Sequence, residues 1–419
     1  MATLFIAPGH HEARLYALSA EIASLDEYKI VTYISNKSKL QDYDQFMIYL
    51  DKHDTRLTLE EADSTKINGL LEFTKSRTFY DLICADNKTN EFVKYDSKRA
   101  KLLVNNFLVS ITKIVEDNSI SKIFTGQGPE LLRIIAYYIS ANSAKLNSYM
   151  HSYYGVHGRA VVFNNPFDYE IYELDMANSV VESEPLKHEL HTRNLDLIMN
   201  LFESGRLLSL TRYRNWQIFG SNIWRRAKSL LLYLFIYTNK TKTQKNAVFF
   251  PMHYDKDLVI TLLNPLNSNQ SEIINFLADE CSEIGAHLVI KEHPYDKWNM
   301  SLLWYTIMKL KGVKIINPNL SGYEVLQNSM ALVCLSSTLG YQNFFFGYNK
   351  PTIVLGHSWY SKYIHPNLCK IGDLKKIHSE EISQRIDNIS EYSFRFEIPY
   401  TNLQSASRDY AKLLMHIVK

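Results

Sequence analysis

The sequence predicts an α/β fold with two domains, each organised around a largely parallel β-sheet. Short apolar runs alternate with amphipathic segments along both halves of the chain, and several of these runs end in polar residues. Such alternation is typical of strands and helices that build a parallel sheet. The length of 419 residues also exceeds what a single compact core usually holds. We therefore predict two Rossmann-like domains in tandem.

The first predicted domain covers residues 1–175 and contains alternating strands and helices. Its clearest strands are TLFIAP (3–8), KIVTYIS (29–35) and SKIFTG (121–126). Helical spacing covers residues 98–118, and a second helix, LLRIIAYYISA, follows SKIFTG. Two more strand-like runs, SYMHSYY and AVVFNNP, come after it.

The second predicted domain covers residues 246–395 and shows the alternation more clearly. Its strands are AVFFPM (247–252), HLVIKE (287–292), VKIIN (313–317), ALVCL (331–335) and PTIVL (351–355). Its helices are 269–284, 300–311, 321–329 and 338–347. Residues 396–419 are predicted to form a helix that returns to the first domain.

A basic and aromatic segment, residues 176–245, connects the two domains. Within residues 206–237 it combines arginines and tryptophans with the apolar run LLLYLFIY. A basic helix with Trp and Leu on one side can lie in a membrane interface, where anionic lipid attracts it. It can equally be a connector helix packed across the two domains, with its arginines solvated. The sequence supports both interpretations equally.

Composition and charge narrow the class of protein. A net charge of +2 and the lack of any recognised nucleic-acid motif argue against a nucleic-acid partner. The four cysteines have no metal-ligand spacing, and we expect no metal. The amino terminus does not read as a signal peptide, and no stretch approaches the ~20 apolar residues of a membrane span. We expect a cytoplasmic protein, peripheral on the inner face of the bacterial cytoplasmic membrane if residues 206–237 bind lipid.

Two strands of the second domain end in polar clusters. One cluster is Lys291-Glu292-His293-Pro294, and the other is Ser336-Ser337-Thr338, which opens a helix. Ligands of open α/β sheets bind at the carboxyl ends of strands. Hydroxyl residues cap a helix N-terminus, whose amides and dipole attract anions. If both clusters lie at one sheet edge, they can hold the same phosphate.

Each element of this constellation has a structural alternative. Ser-Ser-Thr before a helix is often only a cap, and a histidine before proline is often only a turn residue. Glu324 follows Ser321 at the spacing of a capping box, so it either caps its helix or binds ribose hydroxyls. The joint arrangement is less probable by chance than its parts, and it favours a ligand site.

The two clusters resemble the carboxyl-terminal domain of the bacterial capsule polysaccharide synthesis family. The resemblance lies in a strand followed by KxHP, and then SSTLGYQNFFFGYNKPTIVLGHSWY (336–360) after a second strand. That family contains the Kdo transferases of capsule export systems. It implies a GT-B fold, in which two Rossmann-like domains face each other across a cleft. The same His-Pro and Ser/Thr pair recurs in bacterial sialyltransferases and polysialyltransferases. The resemblance covers about residues 246–360.

The resemblance implies that a CMP-activated sugar binds to the second domain. His293 is then a catalytic residue that binds the CMP phosphate, and Pro294 fixes its turn. Ser336, Ser337 and Thr338 supply hydroxyls and amides to the same phosphate.

Three further residues are implied in donor binding. Glu324 takes the ribose, and Lys291 adds a positive charge, although a lysine at a strand end can also be solvated. His253 occupies the place where relatives bring a polar residue into the cleft. Its alternative is a surface histidine on a loop.

The first domain is expected to hold the acceptor and a catalytic carboxylate. In relatives a polar loop follows the strand equivalent to SKIFTG, and here it is Gly126-Gln127-Gly128-Pro129-Glu130. We expect Gln127 to contact the acceptor and Glu130 to act as general base or nucleophile, since the flanking glycines allow a close approach. Alternatively, Glu130 only stabilises the helix that it opens.

Residues after the first strand are also candidates for sugar or acceptor binding. His10 and His11 follow that strand directly, and Arg14 could meet a sugar carboxylate. At least one of these three is expected to be structural. The Glu-Gly pair that the family has after the next strand is missing, and MHSYYGVHG (150–158) stands in its place.

The predicted function is transfer of a 2-keto-3-deoxy acid sugar from CMP to a glycan or glycolipid acceptor. The sugar would be Kdo or a nonulosonic acid, such as sialic or pseudaminic acid, and the product a capsule or lipopolysaccharide glycan. No cofactor is expected. The alternatives are a CDP-polyol phosphotransferase of the teichoic-acid type, a nucleotide-sugar epimerase acting on UDP, and a non-catalytic glycan-assembly subunit. In the phosphotransferases the serine pair generally follows an Asp, whereas Cys334 and Leu335 precede it here.

Overall fold

The chain divides into two compact units. The computed structural model describes residues 2–51, 64–74, 97–128, 130–153, 159–165, 170–171, 227–238, 246–254, 269–294, 300–380, 382–386, 393–395 and 402–418. Unit 1 comprises the described residues within 1–179 and 388–419, and unit 2 those within 180–255 and 266–387. The prediction of an α/β chain with two parallel-sheet units is confirmed. The predicted domain boundaries lie in or next to segments that the structure does not describe, so they stay predictions. The cleft between the two predicted domains also stays a prediction.

Among the described residues, unit 1 contains most of the strands and the longest helix. Its first elements are β1 (Ala2–Ile6), α1 (His10–Ile22), β2 (Tyr28–Tyr33), β3 (Met47–Leu50), α2 (Ser64–Phe73) and α3 (Ser97–Asp117). They are followed by β4 (Ile120–Gly126), α4 (Leu131–Ala141), β5 (Asn147–Tyr153), β6 (Arg159–Asn165) and β7 (Glu170–Ile171).

Unit 2 follows the same alternation around a smaller sheet. It contains a π-helical turn (Leu232–Ile236), β8 (Ala247–Pro251), α5 (Gln270–Glu283), β9 (His287–Lys291), α6 (Leu302–Leu310) and β10 (Lys314–Ile316). It continues with α7 (Gly322–Gln327), β11 (Ala331–Cys334), α8 (Thr338–Phe345), β12 (Thr352–Val354), β13 (Ile364–His365), α9 (Asp373–Ser379) and β14 (Arg385–Ile386). Two last elements, β15 (Ser393–Arg395) and α10 (Leu403–Val418), belong to unit 1.

The sheet of unit 1 has a parallel centre and an antiparallel margin. Its order is β15-β6-β5-β4-β1-β2-β3, with β7 paired to β6. Strands β5, β4, β1, β2 and β3 run parallel, whereas β6 is antiparallel to both β5 and β15. The connection from β5 to β6 spans only residues 154–158, too few for the crossover that a parallel pair requires. The sequence therefore predicted the two strands correctly but not their antiparallel direction.

Helices cover both faces of this sheet, so its central strands are apolar on both sides. All five residues of β1 are buried, as expected for a strand covered on both faces. One face packs Leu4 and Ile6 against α3 and α4, and the other packs Phe5 against α1 and α10. Lys122 donates to the carbonyls of Ile417 and Val418 at 2.9 and 3.2 Å, which satisfies the last turn of α10.

The five-stranded sheet of unit 2 is entirely parallel, in the order β10-β9-β8-β11-β12, and β13 and β14 form a separate antiparallel pair. Strands β8, β9 and β11 lie side by side at its centre, and every residue of β8 and β11 is buried. Because neighbouring strands are parallel, the ends of β8, β9 and β11 lie at one edge of the sheet. The loops that follow these three strands carry His253, the KEHP turn and the serine turn (336–338).

The connector between the predicted domains is described only in part. Residues 206–226 lie outside the described ranges, and residues 227–238 form helical turns that join unit 2 through a bridge between Thr238 and Ile316. Among the residues that the structure describes, no helix is long and apolar enough to cross a bilayer.

Candidate functional site

Strand pairing brings the two polar clusters of unit 2 to the same sheet edge. In the pairing of β8 with β9, Pro251 lies opposite Lys291, so His253 and His293 follow two adjacent strand ends. Strand β11 pairs with the other side of β8 and leads into Ser336. The predicted convergence of the KEHP turn and the serine turn is therefore confirmed.

His253 connects two of the three converging loops. Its Nε2 accepts a hydrogen bond from the backbone N–H of Ser336 at 3.3 Å. Gln270 holds the backbone of His253 on both sides, accepting from its N–H at 2.7 Å and donating to its carbonyl at 3.1 Å. His253 is only 9% exposed, so the alternative of a surface histidine is wrong.

The environment of His253 keeps its imidazole neutral. Burial, and next the nearby His293, lower its pKa to about 4. A neutral imidazole that accepts through Nε2 carries its proton on Nδ1. His253 therefore orients the backbone of the serine turn at neutral pH and contributes no positive charge there.

The KEHP turn contains an acid that the sequence analysis did not assign. Glu292 is 2% exposed, and its carboxylate accepts hydrogen bonds from the hydroxyls of Tyr237 and Tyr305. Burial, and then the Glu292 carboxylate, raise the pKa of both tyrosines far above the usual value. Glu292 thus fastens the turn to α6 and to the segment before β8. An acid directly after a buried strand was the only signal for it in the sequence.

The other three residues of the KEHP turn differ in their exposure to solvent. Lys291 is buried at the end of β9, His293 is half-buried, and Pro294 is exposed. The ring of Tyr254 lies 6.1 Å from that of His293, centroid to centroid. His293 is therefore partly exposed, whereas the two residues before it in the turn, Lys291 and Glu292, are buried.

The serine turn is fixed by a cap and by a tyrosine. Ser337 caps α8 by accepting from the N–H of Leu339 at 3.3 Å, and Tyr360 donates to the Ser337 carbonyl at 2.6 Å. A Cβ on Gly340 would lie 2.3 Å from the Tyr360 hydroxyl, so glycine is required for this packing. The capping alternative for the serines is thus correct for Ser337.

Ser336 differs from its neighbours. Its Oγ is buried and has no hydrogen-bond partner among the described residues. A buried hydroxyl without a partner is unfavourable by about 1–3 kcal/mol and calls for an explanation in a native structure. Thr338, the next hydroxyl residue of the cluster after Ser337, is exposed. The Ser336 hydroxyl is therefore a candidate contact for a ligand at the edge of the sheet.

Glu324 lies in the first turn of α7 and is exposed. Ser321 makes no side-chain cap there, so the capping box that the sequence allowed does not form. Helix α7 packs against α8, and a Cβ on Gly322 would lie 3.3 Å from Leu339 Cδ1. Because α7 starts beyond the end of β10, it begins at the same edge of the sheet. Its role in ribose binding stays a prediction.

In unit 1, Glu130 stands at the N-cap of α4, just beyond the end of β4. Its Oε2 lies 3.1 Å from Nε of Arg133, and its side chain is 28% exposed. Gln127 is held by the Ser152 hydroxyl, which donates to Gln127 Oε1, and by its own N–H, which donates to the His151 carbonyl at 2.8 Å. The roles of Glu130 and Gln127 stay predictions.

A second carboxylate, Glu12, was missed because nothing in the sequence places α1 beside the end of β4. Glu12 Oε1 accepts from the Tyr16 hydroxyl at 2.7 Å and from the Gly126 N–H at 3.1 Å, and its Oε2 lies 2.7 Å from Arg133 Nη2. Burial raises the pKa of Glu12, although Arg133 opposes this effect. Burial also disfavours the charge on Arg133, but Glu12 and Glu130 outweigh it and raise its pKa.

The glycines of this loop make room for these carboxylates. A Cβ on Gly126 would lie 2.7 Å from Glu12 Oε1, and one on Gly128 would lie 2.1 Å from Glu130 Oε2. The sequence analysis assigned the glycines to a substrate approaching the backbone. In the structure, Glu12 of α1 takes that space at Gly126 and Glu130 takes it at Gly128.

His10, His11 and Arg14 lie at the start of α1, beyond the end of β1. The rings of His10 and His11 are 4.1 Å apart, and Arg14 donates to the Lys39 carbonyl at 2.7 Å. Burial, followed by Arg14 and Lys39, lowers the pKa of His11. Because β1 and β4 are parallel neighbours, these residues share a sheet edge with Glu130. Their part in sugar binding stays a prediction.

Metal ligands are not grouped in the described part of the chain. No set of three or more His, Cys, Asp or Glu side chains there could hold a metal ion. Neither this result nor any other observation tests the expectation that no cofactor is required.

A family comparison agrees with the sequence motifs. Residues 234–363 match the family model described as capsule polysaccharide biosynthesis protein. The match covers both polar turns of unit 2, and it confirms the resemblance to the capsule polysaccharide synthesis family over this part of the chain. A search of the curated proteins found no match. The similarity to sialyltransferases stays a prediction.

The chain resembles several solved structures at low sequence identity and low TM-score. The KpsC β-Kdo 2,7 transferase of Thermosulfurimonas dismutans is 13% identical, with a TM-score of 0.38 over 72% of this chain and 88% of that chain. The UDP-GlcNAc 2-epimerase of Methanocaldococcus jannaschii is 10% identical, with a TM-score of 0.33 over 99% of this chain and 100% of that one. The epimerase of Rickettsia bellii is also 10% identical, with a TM-score of 0.33 over 100% and 98%. TM-scores this low support no conclusion about function.

The depressed pKa of His253 predicts acid sensitivity. Histidine titrates near 6.5 in an unfolded chain and His253 at about 4 in the fold, so the unfolded state binds the extra proton between these values. The free energy of unfolding should therefore fall by up to ~3 kcal/mol as pH drops through this window. Replacing His253→Gln should remove that part of the dependence, measured by urea unfolding between pH 7 and 4.

The matched control is His287→Gln, at an exposed position at the start of β9. This control should keep the dependence of the wild type. If His253→Gln left the pH profile unchanged, the buried, neutral state assigned to His253 would be wrong.

Proposed function

We propose that the chain is a glycosyltransferase of capsule polysaccharide synthesis that transfers a 2-keto-3-deoxy acid sugar from a CMP-activated donor to a glycan. Unit 2 is proposed to bind the nucleotide. The observation that carries this proposal is the meeting of His293, the partnerless Ser336 hydroxyl and the start of α8 at one sheet edge. The family match over residues 234–363 supports the capsule assignment.

The phosphate of CMP fits the chemistry of this edge. The start of α8 and its dipole favour an anion. Ser337 accepts from the N–H of Leu339 through its hydroxyl and from the N–H of Gly340 through its carbonyl, at 3.3 and 2.9 Å, so the phosphate is assigned to the N–H of Thr338. A phosphate oxygen would give the Ser336 hydroxyl a hydrogen-bond partner.

His253 is neutral and turned toward the Ser336 backbone, so the contact of an imidazole with the phosphate is assigned to His293, with the charge of Lys291 beside it. One imidazole, one lysine and one helix N-terminus suit the single phosphate of CMP.

In the proposed reaction, negative charge develops on the CMP phosphate bound at this site. The bond between the anomeric carbon and the phosphate oxygen breaks, and its electron pair stays on the oxygen of the departing CMP. The acceptor hydroxyl oxygen forms the new bond to the anomeric carbon and gives its proton to a base. Groups already placed around the phosphate stabilise the negative charge as it grows.

Glu130 is our candidate for the base, and its surroundings support it over Glu12. Both oxygens of Glu12 are engaged, by Tyr16 and Gly126 on one side and by Arg133 on the other. The Glu130 side chain is more exposed as a whole, and its Oε2, buried 3.1 Å from Arg133 Nε, accepts no hydrogen bond. Glu12 is thus proposed to position Arg133, which in turn orients Glu130.

Replacing His293→Ala should weaken CMP binding at least about tenfold, since a charge-assisted hydrogen bond is worth about 1.5–3 kcal/mol. Isothermal titration with CMP measures this change. His287→Ala, at an exposed position of the same strand, is the control. Unchanged CMP affinity in His293→Ala would refute the phosphate role. Tighter binding of CDP or UDP than of CMP to the wild type would favour the phosphotransferase or the epimerase.

Replacing Glu130→Gln should lower the rate of sugar transfer by a factor of about 10²–10⁴, the usual contribution of a general base, and leave CMP binding intact. Transfer from a CMP-sugar to a glycan acceptor measures the rate. Glu12→Gln should instead lower the thermal stability, because it leaves Arg133 with one carboxylate. Full activity of Glu130→Gln would remove Glu130 from the mechanism.

A further inference from the structure

Among its described residues, unit 2 exposes a cluster of large apolar side chains. We call it the apolar patch. Its members come from residues 227–238 and from α6. They are Leu230 (60% exposed), Leu231 (41%), Leu234 (64%), Phe235 (63%), Leu303 (69%), Ile307 (42%) and Leu310 (83%). Soluble proteins rarely expose so many large apolar side chains together unless the surface binds something.

The two segments of the patch lie side by side. Lys309 of α6 donates to the carbonyl of Phe235, and the rings of Tyr237 and Tyr305 meet edge to face at 6.3 Å. Both tyrosines also donate to the buried Glu292. The two segments that carry the exposed residues are therefore held together by hydrogen bonds and a ring contact.

Helical spacing explains why α6 presents an apolar outer face. Leu303, Ile307 and Leu310 follow each other at intervals of four and three residues, so they share one side of the helix. Tyr305 and Met308 lie on the opposite side and are buried against the unit. The helix is thus apolar on two sides, and only one of them has a partner among the described residues.

The charge around the patch is mainly positive. Residues 227–238 and 300–316 contain four lysines, Lys228, Lys309, Lys311 and Lys314, and no Asp or Glu. Lys228 lies over the ring of Tyr305, and Lys309 reaches Phe235. Among the described residues, the acid paired with this group is Asp279 of α5, whose exposed side chain lies 3.0 Å from Lys311. The surface is therefore apolar at its centre and mainly basic at its margin.

We propose that the apolar patch docks the protein onto an anionic membrane surface. Leucine, isoleucine and phenylalanine side chains enter the boundary between headgroups and acyl chains, while lysines remain at the anionic headgroups. The excess of lysines over the single paired acid, Asp279, favours an anionic lipid surface over a protein partner, whose polar rim would carry both signs more evenly. The sequence allowed a membrane contact for residues 206–237. The proposal places that contact on the described residues 227–237 of the segment and on α6.

The docking surface does not use the residues proposed for nucleotide binding. Helix α6 starts near the edge of the sheet that holds His293 and returns to the opposite edge, where β10 begins. The proposal is therefore independent of the proposed function, and variants of the patch should still bind CMP.

The experiment is co-sedimentation of the full chain with vesicles of phosphatidylcholine, with and without ~30% phosphatidylglycerol. The wild type should bind the anionic vesicles and release at high salt. The double variant Leu234→Gln, Phe235→Gln should bind at least about tenfold more weakly, since it removes two inserted side chains. Neutralising Lys309→Gln and Lys311→Gln should weaken binding by about fivefold for each lysine.

Matched controls come from unit 1, where Val109 on α3 is 40% exposed and Lys113 is an exposed lysine on the same helix. Val109→Gln and Lys113→Gln should bind vesicles like the wild type, and circular dichroism should show that all variants are folded. Failure of the wild type to bind anionic vesicles would overturn the proposal. So would equal binding to neutral vesicles, binding unaffected by the patch variants, or self-association that these variants abolish in the absence of lipid.

Discussion

The parallel pairing of β9, β8 and β11 is the constraint on which the candidate site depends. Strands that run in the same direction deliver their following loops to one edge, so residues far apart in the chain meet there. His253, His293 and Ser336 are brought together in this way. Without that pairing the KEHP turn and the serine turn would be two unrelated loop ends.

Some polar side chains at this edge hold the loops in place, and others are candidates for binding a ligand. Glu292 is held by two tyrosines, His253 by Gln270 and the Ser336 N–H, and Ser337 by its cap. Buried polar groups of this kind fix a loop only when their hydrogen bonds are satisfied. Unit 1 shows the same division, because Glu12 is fully engaged while Glu130 is more exposed. The fixed groups determine the geometry, and the others are the candidates for chemistry.

The parts of this arrangement that follow from local pattern could be predicted from the sequence. Apolar runs identified the strands, and the polar residues after HLVIK and ALVCL identified the loops, because strand ends at one edge follow from parallel pairing. The partners of Glu292 could not be predicted, since Tyr237 and Tyr305 lie 55 and 13 residues from it. The Glu12–Arg133 pair spans 121 residues and depends on how α1 and α4 pack. The burial of His253 depends likewise on Gln270, whose position follows from the packing of α5.

The location of the phosphate in a complex with CMP tests the central claim most directly. A crystal structure of that complex should place the phosphate within about 3 Å of His293 and of the Thr338 N–H at the start of α8, with the Ser336 hydroxyl donating to it. A phosphate bound anywhere other than at the ends of β9 and β11 would contradict the account.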